Sequence, residues 1–279
     1  MTGERLLDVE DLSVTFRTPK GPVEAVRGVS FTLGREKLGI VGESGSGKSQ
    51  TGRSILGLTA GNGWVSAKRF QFDGIDLLSA DRKTLRAIRG NRISMILQDP
   101  KYSLNPVMPV GRQIAEAFLV HHQASKSDAK RRALEMLAAV RIPDPERVYG
   151  AYPQELSGGM GQRGMIAMMM IPEPDIVIAD EPTSALDVTV SLQVLAILDK
   201  MVTRRNTSLI LISHDLDLVA SFCDRVLVMY AGRIVESCLA SELSHAQHPY
   251  TRGLLSCLPQ IEEPRAELAT LVRDASWAE

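Results

Sequence analysis

Leu38-Gly39-Ile40-Val41 followed by Gly42-Glu43-Ser44-Gly45-Ser46-Gly47-Lys48-Ser49 reads as a buried strand, a glycine/serine loop and the first turn of a helix. The loop fits G-x-x-x-x-G-K-[ST] in the context that pattern requires. Glycines there let the backbone wrap closely around phosphate groups, and successive N–H groups converge on their oxygens. Lys48 supplies a point charge towards the β- and γ-phosphates, and the Ser49 hydroxyl is suited to ligating Mg2+. The plain alternative is a glycine-rich turn beside a strand. By itself the motif says nucleotide, not which reaction.

Working outward, Leu12, Val14 and Phe16 alternate with polar neighbours, as do Val29, Phe31 and Leu33, with a loop around Pro19 to Pro22 between them. The spacing predicts a helix from Lys48 to about Leu58 and strands at Phe70–Phe72 and Ile93–Leu97. From Asp99 to Leu156 the character changes. Gly111–Leu119 and Lys126–Val140 have helical spacing, Val/Ile-rich strand runs disappear, and Pro143 and Pro145 break the pattern. Alternation then resumes with a helix after Gly158, strand Ile176–Ala179, helix Val190–Val202, and strands Leu209–Ile212 and Val226–Met229. Ala231-Gly232-Arg233 is a turn, and the tail from His245 begins helical. Met165 and Met168–Met170 read as adaptable filler of a buried helix.

Ile176-Val177-Ile178-Ala179 ends in Asp180-Glu181. Two acids closing a buried strand are costly unless they work, because charge avoids apolar surroundings. Asp180 is placed to hold Mg2+ through water, and Glu181 to reach the water that attacks a γ-phosphate. A strand ending in surface acids is the ordinary alternative.

Leu156-Ser157-Gly158-Gly159-Met160-Gly161-Gln162-Arg163 sets two glycines at the start of a helix, whose N-terminal N–H groups and dipole favour anions. This string resembles the signature motif of ATP-binding-cassette (ABC) ATPases. Leu97-Gln98-Asp99-Pro100 resembles that family's Q-loop, Ser184-Ala185-Leu186-Asp187 its D-loop and Ser213-His214-Asp215 its switch histidine. The resemblance runs in family order to about residue 257. It implies an α/β fold: a P-loop NTPase core with an antiparallel β subdomain and a helical insertion. The expected division is 1–98 and 157–244 as the core, 99–156 as the insertion leading to the signature, and 245–279 as a C-terminal tail.

The resemblance also implies roles. Glu181 and His214 are catalytic. Phe16 stacks on adenine, although a strand residue of the core explains it nearly as well. Gly42, Glu43, Ser44, Gly45, Ser46, Gly47, Lys48, Ser49, Gln50 and Gln98 bind the nucleotide. Ser49, Gln98 and Asp180 hold Mg2+. Ser157, Gly158 and Gly159 cover the nucleotide of a partner, so that two ATP sites form in a head-to-tail dimer.

Gln98–Pro106, continuing to Val110-Gly111-Arg112-Gln113-Ile114, resembles the dipeptide/oligopeptide/nickel importer subfamily, as do Val228–Gly232 and His248-Pro249-Tyr250-Thr251. That implies an ATPase paired with a related second ATPase, two transmembrane permease subunits and a periplasmic solute-binding protein. It would sit peripherally on the cytoplasmic face of the bacterial inner membrane. Tyr102, Leu104, Val107 and Met108, rimmed by Lys101 and Arg112, are expected to floor the permease groove. Two departures stand out: Arg141 where relatives close a helix with glycine, and Gly164 inside the helix after the signature.

Composition agrees. The 279 residues, 44% apolar and 23% charged, suffice for a large core. With 32 Lys+Arg against 33 Asp+Glu the net charge is −1, which gives no global field towards nucleic acid. The longest apolar run, Met165–Ile171, is far short of the roughly 20 residues that span a bilayer. Three scattered cysteines argue against a disulfide framework or zinc knuckle. The competing class is a soluble ABC ATPase acting in translation or DNA repair, whose long coiled coil or doubled cassette is not seen here.

Overall fold

The alternation near the start becomes a long hairpin. In the computed structural model, which describes residues 5–99, 103–184, 186–257 and 277, β1 (Leu7–Thr18) pairs antiparallel with β2 (Gly21–Leu33). Pro22, which has no N–H to give, is tolerated because β2 lies at the sheet edge. The turn expected over 19–22 shrinks to two residues. On its other side β1 pairs with β4 (Gly63–Ser66) and β5 (Arg69–Phe72), and β5 with the short β6 (Ile75–Asp76), all antiparallel. Leu7, Leu12, Val14, Leu33 and Phe72 close the core of this sheet.

The chain divides into two compact units, Met1–Ser79 with Leu211–Glu279, and Ala80–Ile210. The first also holds β3 (Lys37–Val41), parallel to β10 (Arg225–Tyr230), which pairs antiparallel with β11 (Arg233–Leu239). Helix α1 (Lys48–Ile55) follows β3 and ends three residues before the expected Leu58, the chain turning through Leu56 and Gly57.

In the second unit β7 (Ile93–Ile96) runs parallel to β8 (Ile176–Asp180), both buried along their length. Before β7 lies α2 (Arg82–Ile88), capped by Asp81, whose carboxylate accepts from the Thr84 N–H. Between residues 99 and 156 the described elements are helical: α3 (Val110–Leu119), α4 (Lys126–Ala139), α5 (Pro145–Gly150) and a 3-10 turn (Pro153–Glu155). Helix α6 (Gly158–Met170) buries Met165 and Met170 as filler, and a Cβ at Gly164 would make a tight 3.2 Å contact with Val110 Cγ1, which a small shift of that side chain would relieve. Helix α7 (Val188–Arg205) completes this unit. Strand β9 (Ser208–Ser213) carries the chain across the division and on to α8 (Leu216–Phe222), and α9 (Pro249–Ser256) comes last.

Arg141 takes the left-handed conformation itself, φ 59°, where relatives would place glycine. Its carbonyl accepts from Arg163 Nη1 at 2.8 Å, so the turn is held despite the steric penalty of a Cβ at positive φ. Arg141→Gly is therefore expected to raise unfolding stability by about 0.5–1 kcal/mol, read as a higher Tm. A lower Tm would mean that the arginine side chain itself holds the turn.

Candidate nucleotide-binding site

The phosphate loop is gripped by backbone. A Cβ on Gly42 (φ 148°) would lie 2.1 Å from the Met229 carbonyl oxygen, and one on Gly47 (φ 101°) 2.4 Å from the Ala25 carbonyl oxygen. Glycine is thus demanded at both ends of the loop by β10 and β2. Gly47 is also the N-cap of α1 and, having no side chain, gives no side-chain cap.

Lys48 is buried, and its Nζ donates to the carbonyls of Gly42 (2.7 Å) and Glu43 (2.8 Å). Ser46 N–H donates to the Glu43 carbonyl, while the buried Ser46 Oγ has no partner among the described residues. Glu43, Ser44, Gly45 and Ser46, with Tyr230 and Ala231, line a cavity of about 170 Å3. That is below the roughly 300 Å3 of a drug-sized ligand pocket and suits the phosphate end of a nucleotide alone. An orphaned hydroxyl beside a glycine-rich cradle fits an anionic ligand. Ser49 and Gln50 follow on α1, half-buried.

Phe16 is half-buried on β1, and its ring covers Gly63, where a Cβ would come within 2.7 Å of Cε1. His214 follows β9, exposed, just before Asp215, the N-cap of α8.

In the second unit, β8 delivers Asp180 buried at its last residue and Glu181 just beyond. Glu181 holds φ 48°, an uncommon conformation for a non-glycine residue that clusters at functional sites. Gln98 Nε2 lies 3.5 Å from Glu181 Oε2, the outer limit of a hydrogen bond, so two of the named residues meet. The fully buried Gln162 of α6 donates to the Pro182 carbonyl at 2.6 Å and ties the signature helix to the segment after Glu181. Sequence reading misses it, although a glutamine among the buried residues of a helix is itself the signal.

Ser157 caps α6, its Oγ accepting from the Met160 N–H at 3.4 Å. The two glycines beside it differ. A Cβ on Gly159 would lie 2.6 Å from Val190 Cγ1 of α7, whereas one on Gly158 would meet Leu186 Cδ2 at an ordinary 3.7 Å. Packing within the unit accounts for Gly159 and not for Gly158, which is exposed.

The D-loop alanine, Ala185, Pro100 of the Q-loop string, and Tyr102 and its neighbour Lys101 of the expected permease floor and rim lie outside the described residues. Of the rest of that floor, Leu104 is buried and Val107 is 81% exposed. Gln113 staples this turn, bonding the Asn105 N–H and the Asn105 and Met108 carbonyls.

The family model described as ABC transporter matches residues 26–184. The chain belongs to the ABC transporter family. It is 47% identical over 268 residues to the oligopeptide transport ATP-binding protein OppD of Salmonella typhimurium, covering 95% of this chain and 80% of that one. It is 48% identical over 268 residues to the dipeptide transport ATP-binding protein DppD of Haemophilus influenzae, covering 95% and 81%. Among solved structures, the dimeric, post-hydrolysis ATP-binding cassette MJ0796 bound to ADP and Pi matches with TM-score 0.74 and 25% identity over 84% of this chain and 98% of that one. CbiO1 of Clostridium perfringens matches with TM-score 0.73 and 26% identity over 87% and 91%.

The ABC fold expected from the motifs is therefore the fold of this chain, and the protein is an ATP-binding, ATP-hydrolysing subunit of the ABC transporter kind. Among the described residues of this ABC subunit, no helix is long and apolar enough to cross a membrane. Nor do three or more His, Cys, Asp or Glu gather there as a metal site. Magnesium does not need such a cage: it takes one or two protein oxygens and completes its sphere with phosphates and water. The serine hydroxyl, carboxylate and amide oxygen of Ser49, Asp180 and Gln98 are hard donors of that type.

Proposed function

We propose that this ABC subunit powers a bacterial importer of oligopeptides or dipeptides from the cytoplasmic face of the inner membrane. Its partners are a related second ATPase, two permease chains and a periplasmic solute-binding protein. Support for the cargo class comes from relatives named as oligopeptide or dipeptide transport ATP-binding proteins, 46–48% identical over 95–97% of this chain. Those relatives disfavour a soluble ATPase of translation or DNA repair. By role, 1–98 and 157–244 form the core, 99–156 carry the helical insertion and 245–279 the tail.

The chemistry follows from this chain's own groups. The loop from Gly42 to Ser49, with Gln50, receives the phosphates of ATP; Phe16 takes adenine on the ring face turned away from Gly63. Ser49, Asp180 and Gln98 would hold Mg2+, which would supply positive charge against the phosphates. Glu181 orients the attacking water and accepts its proton, and His214 contacts the γ-phosphate. Ser157, Gly158 and Gly159 cover the nucleotide of the partner ATPase, so ATP bridges two subunits and hydrolysis releases them.

The observation that carries this two-chain arrangement is the exposed start of α6, where Ser157 caps the helix and, among the described residues, nothing in its own unit demands glycine at 158. The relative described as a dimeric cassette with ADP and Pi supports it. Ser157→Arg is expected to cut photolabelling of the partner's nucleotide site at least tenfold in the assembled transporter, with its own site little changed. Equal loss at both sites would remove the trans assignment. Detergent-solubilised permeases should co-purify with the chain; recovery of ribosomes or DNA-repair complexes instead would overturn the importer reading.

A further inference from the structure

The loop peptide joining Gly42 to Glu43 is held from both ends. Its carbonyl accepts from Lys48 Nζ at 2.7 Å, and its N–H donates to Tyr250 Oη at 3.1 Å. Tyr250 belongs to α9, beyond the residues 26–184 that the family model matches. We infer that Tyr250 is a positioning residue for ATP binding, fixing the peptide plane on which the phosphate-loop lysine is anchored. The inference rests on the phosphate-loop reading of residues 42–49.

The tyrosine is itself firmly placed. It is 0% exposed, and its ring lies 4.5 Å from that of Tyr230, which lines the phosphate-loop cavity. Trp277 lies 6.0 Å from both rings. The N-terminus of α9 is tethered to β11, because the Gln247 and His248 N–H groups donate to Glu236 Oε1 at 2.6 and 3.4 Å. A buried phenol needs partners for its hydroxyl, and here the oxygen accepts from a backbone N–H of the loop. Packing alone would be served by phenylalanine; only the hydroxyl reaches the peptide.

The two bonds reinforce one another. Donating from the N–H end polarises the amide and makes its carbonyl a better acceptor for the ammonium. Tilting the peptide would move the Gly42 carbonyl away from Lys48 and release a side chain that the loop needs in one position. The tail thereby acts on the nucleotide without touching it.

The test uses the full chain and four proteins: wild type, Tyr250→Phe, Thr251→Val and Lys48→Ala. Thr251 is equally buried on the same helix, and its Oγ1 has no hydrogen-bond partner among the described residues, so its variant reports on disturbance of α9 alone. Two quantities are read: the ATP dissociation constant, and amide hydrogen exchange across residues 42–48 in nucleotide-free protein. Tyr250→Phe is expected to weaken ATP binding about two- to tenfold, the range of one hydrogen bond, and to speed loop exchange by a similar factor. In the assembled transporter KM should rise while kcat stays within about twofold. Thr251→Val should change neither quantity.

Unaltered affinity and exchange in Tyr250→Phe, or the same changes in Thr251→Val, would overturn the inference. If Lys48→Ala loses affinity while Tyr250→Phe does not, only the role of Tyr250 falls. If Lys48→Ala binds ATP as wild type does, the phosphate-loop reading falls and takes this inference with it.

Discussion

Glu181→Gln is expected to bind ATP with nearly wild-type affinity and to hydrolyse it about 10²–10⁴ times more slowly, the usual contribution of a general base. The amide keeps the size of the carboxylate and can still orient water, but it cannot take up a proton. Lost basicity is felt only as the water attacks, so kcat and kcat/KM should fall together. Backbone geometry supports the choice. At φ 48° the residue turns sharply out of β8, and its carboxylate comes within 3.5 Å of Gln98 Nε2. Single-turnover hydrolysis in the assembled transporter, with equilibrium ATP binding alongside, separates the two effects. Near-wild-type turnover would remove Glu181 from the reaction.

Lys48→Ala is expected to lose ATP affinity by about 10- to 100-fold, the range of a hydrogen bond to a charged group. A stability cost of about 1–3 kcal/mol should accompany it, since the Gly42 and Glu43 carbonyls lose their ammonium donor in a buried place. Affinity must therefore be measured well below the variant's own Tm. An ATP dissociation constant equal to wild type in folded protein would contradict the assignment of the loop.

Much of this is legible in the sequence, for physical reasons. The strands β3 and β8 are buried on both faces, so their sequences are unbroken apolar runs and stand out plainly. The phosphate loop and the acidic pair are contiguous in sequence, so local chemistry describes them. Elements of another kind escape. Helix α2 carries Arg82, Lys83 and Arg86 and buries Ile88 alone, which leaves almost no periodic signal. Strand β4 has only four residues, with Gly63 and Trp64 in place of a β-branched run. Helix α7 begins two residues before the expected Val190 because Asp187 caps it, its carboxylate accepting from the Val190 N–H.

Contacts between distant residues escape for a different reason. Tyr250 and Glu43 are 207 positions apart, and Gln162 reaches Pro182 across 20; no period or motif encodes such pairs. In the sequence, His248-Pro249-Tyr250-Thr251 stands only as a likeness to a subfamily, with no role for the hydroxyl. The difference between Gly158 and Gly159 is equally invisible, since both letters are the same and only Val190 tells them apart.

The grip on the phosphate loop bears on how this chain can evolve. The atoms that a methyl group at positions 42 and 47 would meet first are main-chain oxygens of Met229 and Ala25, with the Ser46 hydroxyl only a second obstacle at position 42. No replacement of either neighbour can trim away a peptide oxygen, so a lineage that loses one of these glycines has no simple suppressor at the point of collision. Gly159 stands in another position, because the obstacle there is a valine methyl that a smaller residue at 190 would withdraw. Paired exchange can thus relieve the packing at Gly159 and leave only its place over the partner's nucleotide to hold it, while the cradle admits only reversion.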